Sequence, residues 1–121
     1  MNIHQKIIAA CSPIVDGNIW PVQKPLEEDP DEFIVFNPEL DQAAEWGDDD
    51  DLEWIQSYQV HWYHRGVVDY LSRRKQIRAA LKQQGLTVPE ISFVRYDADS
   101  TKAADTGWTH LCFNCNDVEE D

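Results

Sequence analysis

Residues 46–66 read WGDDDDLEWIQSYQVHWYHRG, and the second half of this stretch decides the fold. Taken alternately, it sets Trp54, Tyr58, Val60 and Trp62 on one side and Ile55, Ser57, Gln59, His61 and Tyr63 on the other. A period of two sustained over this length marks a half-buried β-strand, built here from the aromatic and β-branched residues that suit a pleated surface. A strand so apolar on one side needs a cover, and residues 67–84 supply it as a helix. Val67, Tyr70, Leu71, Ile77 and Leu81 form its inner stripe, with Arg73, Arg74, Lys75, Arg78 and Lys82 clustered outside. Asp69 in the first turn and the basic residues further on suit the helix dipole, and Gly85 is placed to end the helix at C′.

Working outward, residues 2–11 put Ile3, Ile7 and Ile8 at helical spacing, predicting a short amphipathic helix that stops at Ser12-Pro13. Residues 19–22 are short and extended, and Pro21 confines them to a sheet edge. Residues 32–37, EFIVFN, carry bulk on both faces, Phe33 and Val35 against Ile34 and Phe36. Such a strand is central, or one of its faces meets another subunit. Pro38 ends it, and 39–52 reads as a long acidic loop. Residues 88–96 form a further strand, 97–107 a polar hairpin loop and 108–116 the last strand, before a flexible acidic tail at 117–121 that frays. The expectation is one α+β domain over 1–121. Its sheet is mostly antiparallel, of four to five strands, with two helices packed on one face.

The formal net charge of −13 excludes whole classes of partner. Nucleic-acid binding runs on Lys and Arg neutralising phosphates, and an anionic membrane would repel this chain equally. What remains is plain solubility, a surface past which DNA slides, or an acidic patch that meets a basic protein. No run of about 18 apolar residues spans a bilayer and no basic-then-apolar leader opens the sequence, so the chain reads as soluble and unsecreted. The odd set Cys11, Cys112 and Cys115 is not a disulfide framework and reads as reduced core thiols.

Each constellation that could carry chemistry has an ordinary reading beside it. Asp48, Asp49, Asp50 and Asp51 lack the alternate spacing, central glycine and closing glutamate of a calcium loop, so a solvated acidic loop is the default. Cys112 and Cys115 are half of a zinc site with no second half, and in a strand they point to opposite faces. His61 and His64 diverge for the same reason. No zinc-protease, nucleophile-elbow, phosphate-loop or dinucleotide motif is present. No cofactor is expected. The basic cluster is either an exposed helix face or a surface that docks on the acidic loop of a neighbouring copy, head to tail.

Taken in succession, several pieces resemble one family. They are residues 33–38 before an aspartate-rich loop at 48–51; Tyr58-Gln59-Val60-His61-Trp62; the helix closing at 81–85; and Tyr96-Asp97 followed by Asp105-Thr106-Gly107-Trp108-Thr109-His110. This order is similar to that of the small tail-terminator, or head-tail joining, proteins of long-tailed bacteriophages and prophages, over about residues 3–114. The stretch 98–104 departs from it by lengthening the hairpin tip. The resemblance implies a structural protein with no catalytic role: a homo-hexameric ring in the virion neck, assembled in the host cytoplasm. Such a ring stops tail-tube growth, meets the tail-tube and head-completion proteins, and lets DNA pass without specific binding. The charge agrees independently, because carboxylates lining a bore repel DNA over a Debye length of about 8 Å. Glu45, Asp48, Asp49, Asp50, Asp51, Glu53, Arg73, Arg74 and Arg78 are the candidate lumen or inter-subunit residues. Two other readings stand beside it: an acidic DNA mimic that inhibits a basic protein, and a metal-dependent enzyme using the aspartate run.

Overall fold

A computed structural model describes residues 1–43, 53–88, 91–97 and 107–120. These form α1 (Ile3–Cys11), β1 (Ile19–Pro21), β2 (Glu32–Ala43), β3 (Glu53–Arg65), α2 (Leu71–Gln83), β4 (Ile91–Asp97) and β5 (Trp108–Glu120). The strands make one mixed sheet in the order β1-β2-β3-β5-β4, antiparallel except for the β1–β2 pair. With two helices on one face of that sheet, the fold is α+β, as the sequence pattern predicts.

The aromatic strand takes the middle of the sheet, and its alternation falls as expected. Tyr58, Val60 and Trp62 are buried beside Ile34 and Phe36 of β2 and Leu111, Phe113 and Cys115 of β5. The helices close this layer with Ile3, Ile7, Ala10 and Cys11 from α1 and Ile77 and Leu81 from α2. Each large side chain so buried contributes roughly 1.5–3 kcal/mol, and Trp62, 1% exposed at the centre, anchors the set. Asn2 caps α1 through a reciprocal pair with Gln5, each side chain accepting from the other's backbone N–H at 2.9 Å. His4 shares a 2.6 Å hydrogen bond with the Tyr58 hydroxyl, which fixes the helix over β3.

Four expectations are corrected. Ile8 is 40% exposed, because it lies one helical step round from Ile7; Ala10 and Cys11 complete the buried stripe instead. The second helix begins at Leu71 rather than at residue 67. Thr109 intervenes: its hydroxyl donates to Gly66 O (2.6 Å) and accepts from Val68 N–H (3.2 Å), holding that backbone out of the helix. Val67 and Leu71 therefore leave the predicted inner stripe for solvent, 83% and 51% exposed. Strand β2 continues past Pro38 to Ala43, because a bulge between Pro38 and Leu40 absorbs the residue without an N–H. Strand β5 likewise runs on through the expected tail to Glu120, its backbone paired with β3 as far as Glu53 and its Asp117 tied to Lys6 at 2.7 Å.

The end of α2 follows the sequence closely. Gly85 adopts φ +85°, Gly85 N–H donates to Lys82 O (2.9 Å) and Leu86 N–H to Leu81 O (3.2 Å), with Leu86 and Leu81 both in the core. That pair of bonds is the Schellman closure, and it needs the left-handed residue glycine supplies.

Candidate functional site

The two faces of the sheet differ in kind. Opposite the helices stand Trp20, Phe33, Tyr63, Phe93 and Trp108, in ring contact with one another or with the histidines between them. Among these rings runs a polar chain across three strands. Asp97 Oδ2 of β4 lies 2.7 Å from His110 Nδ1 of β5, and His110 Nε2 lies 2.8 Å from His61 Nδ1 of β3. His61 Nε2 in turn meets the Gln59 amide at 3.2 Å, with the Cys112 thiol at 4.0 Å. Tyr63 stacks on His110 at 4.1 Å between centroids and Phe93 meets it edge-on at 4.8 Å, which leaves His110 2% exposed.

Burial decides the protonation of this chain. It pushes His110 down from its ordinary pKa against the opposing pull of Asp97, and it lowers His61 to about 4, with His110 and Arg95 adding to the effect. Each ring is then neutral at pH 7 and carries one proton. His110 gives its Nδ1–H to Asp97, so its Nε2 must accept, and His61 donates from Nδ1. His61 Nε2 is left as an acceptor facing Gln59 Oε1 at 3.2 Å, and a half-turn of that amide brings its NH₂ group to the same place as donor. An aspartate orienting a histidine has the form of an acid–base pair, but here its outer end is spent on a second ring and an amide. Chemically the chain acts as a tie: it pins β4, β5 and β3 to one register and stiffens the aromatic face.

A second polar knot joins the helix layer to the sheet. Glu32 accepts from Arg73 through both oxygens (2.6 and 3.0 Å) and from Trp62 Nε1 at 2.9 Å. Arg73 is thus drawn inward, while Arg78 is half-buried and donates to Val88 O at 3.2 Å. Of the three arginines expected on the basic surface, Arg74 stays on the outside, with Lys75 and Lys82. Glu45 and Asp48, Asp49, Asp50 and Asp51 lie outside the described residues, and Glu53 is placed by its backbone pairing with Glu120.

The cysteines fall as the strand period predicts. Cys115 enters the core and Cys112 faces His61. Burial pushes the Cys11 and Cys115 thiols up to about 12, so both stay protonated and inert. Among the described residues, no group of three or more His, Cys, Asp or Glu is placed to hold a metal ion. Sequence reasoning did not bring His61 and His110 together. Alternation placed His61 on the non-core side of its strand, yet only the register, Tyr63 opposite His110 and His61 opposite Cys112, makes the two histidines neighbours. Set against known proteins, the chain matches no protein-family model and none of the curated proteins.

Proposed function

We propose that this protein is a structural subunit of a phage tail neck, of the tail-terminator kind, which closes the end of the tail tube as a ring and joins it to the head. The observation that carries this reading is the one-sided sheet: helices cover one face, and the other is paved with rings that a buried polar chain holds rigid. Such a face suits contact with another protein subunit better than the enclosure of a small substrate. The charge of −13 suits a channel that DNA crosses without sticking. On this reading Glu45, Asp48, Asp49, Asp50, Asp51 and Glu53 remain the candidate lumen or inter-subunit residues, and the chain's work is assembly rather than catalysis.

The test is to polymerise the tail-tube protein of a candidate phage with and without this chain and to image the products. Tubes of limited length, each ending in a ring of this protein, are the expected result. Tube lengths unchanged by the protein, together with tight one-to-one capture of a basic DNA-binding enzyme, would replace this reading with that of a DNA mimic.

A further inference from the structure

The segment between β1 and β2 leaves a groove of roughly 350 Å³ against the helix-free face, with Val22 and Leu26 at its lip, Phe33, Val35 and Tyr63 as its floor, and Gln23 and Lys24 completing the lining. Both lip residues are turned to water, Val22 69% and Leu26 89% exposed. Val22 is held there at φ +68° by two bonds: its N–H donates to Phe36 O (2.8 Å) and Gln23 N–H to Pro21 O (2.7 Å). That is the rare positive-φ form of a γ-turn, at a residue whose branched Cβ disfavours it. Lys24 closes the segment on itself, its ammonium over Phe33 and bonded to the carbonyls of Pro25 and Glu28. The two residues after Leu26, Glu27 and Glu28, are exposed and give the segment beside the groove its outward acidic charge.

The complement to this groove is on the same chain, on the opposite side of the sheet. Along α2, Leu71, Arg74 and Lys75 sit at spacings i, i+3 and i+4 and share one face, all of them exposed. Neither Arg74 nor Lys75 forms an ion pair among the described residues. One surface is apolar with two acids beside it; the other is an apolar knob followed by two cations. They lie on opposite faces, so one molecule cannot satisfy itself. A two-fold pairing of like surfaces would set acid against acid.

We infer that the groove formed by Val22, Leu26, Phe33, Val35 and Tyr63 is the docking site for the outer face of α2 from a second copy of this chain, Leu71 entering the groove and Arg74 and Lys75 meeting Glu27 and Glu28. The contact is head to tail, so it propagates, and it closes into a ring when the rotation permits. It rests on the ring proposed above and names the two surfaces that build it, moving the acidic half from the 48–51 run to the β1–β2 segment.

Two single substitutions at exposed positions test it, Leu26→Asp and Leu71→Asp, each checked by thermal melting to show an intact fold. Wild-type protein is expected to form species larger than a dimer as concentration rises in light scattering. Each variant alone should stay at the mass of one chain, 14.0 kDa. Mixed, the two should form a heterodimer of twice that mass and stop, because each contributes one working surface. In addition, Glu27→Lys with Glu28→Lys should break assembly, and Arg74→Glu with Lys75→Glu in the same chain should restore it. Wild-type protein monomeric at its highest soluble concentration, assembly indifferent to the substitutions, or a mixture without heterodimer would each overturn the inference. Assembly that survives both substitutions leaves a ring standing on other surfaces. A heterodimer from a protein that does not cap tubes overturns the proposed function and leaves this interface intact.

Discussion

His61 and His110 make the folded protein sensitive to acid, and the direction follows from burial. The folded chain holds His61 at about 4, below the ordinary 6.5, and lowers His110 as well, so the unfolded chain binds more protons between those limits. The stability these rings contribute is complete above about pH 6.5 and is lost as pH falls toward 4, amounting to at most about 3 kcal/mol for His61. Urea unfolding at pH 7 and pH 4.5 should show the loss in the wild type and a smaller loss in His61→Gln, whose amide never takes up the proton. An equal loss in both would remove His61 as the cause. Period two alone assigns each histidine a face, whereas their meeting depends on strands 49 residues apart in sequence pairing in one register. No local pattern encodes that.

Among the elements, α2 is where sequence and structure part most, and the cause is polar. The apolar spacing predicts Ile77 and Leu81 inward, which holds, but Arg73 belongs to the interior knot with Glu32 and Trp62. A charged residue on a helix reads as solvated until its partner on another strand is known. Removing Glu32 orphans the Nε1 of Trp62 at a position 1% exposed, so Glu32→Ala should cost about 2–3 kcal/mol. Arg73→Ala gives up an ion pair whose arginine is 34% exposed and should cost about 1 kcal/mol or less. Paired denaturant melts decide the order, and a larger loss for Arg73→Ala would mean that the ion pair matters more than the indole bond. Turns give a second ranking. Gly85→Ala meets open space and bears only the strain of φ +85°, about 1 kcal/mol, as the sequence signal for a helix end implies. Gly107→Ala would bring its Cβ to 2.5 Å from the Tyr96 ring and 2.8 Å from the carbonyl of Asp97. That backbone cannot swing aside, so its loss should be the greater, up to about 3 kcal/mol. The sequence marks Gly85 as a helix end but gives no sign of the crowding at Gly107, which is one of close approach across the β4–β5 pair.

For the whole molecule, composition gives the charge of −13 but not its arrangement, and the arrangement is what salt can test. Two electrostatic terms act when copies of this chain meet. The net charges repel at long range, while Glu27 and Glu28 of one copy attract Arg74 and Lys75 of the next over a few ångströms. Screening removes the long-range term first, since the Debye length falls from about 30 Å at 0.01 M to about 8 Å at 0.15 M and about 3 Å at 1 M. Assembly should therefore strengthen from 0.01 M to about 0.15 M salt, as repulsion between whole chains fades, and weaken again toward 1 M as the contact pairs are screened. Sedimentation at fixed protein concentration reads this as a maximum in mass. In Glu27→Gln with Glu28→Gln the rising limb should persist and the falling limb should flatten, because only the short-range pairs are gone. Affinity for duplex DNA should be absent over the same range, and it would be highest at low salt if any basic face were reaching phosphates. A mass that climbs steadily to 1 M would assign the contact to Leu26 and Leu71 alone and leave the two glutamates without a part in it.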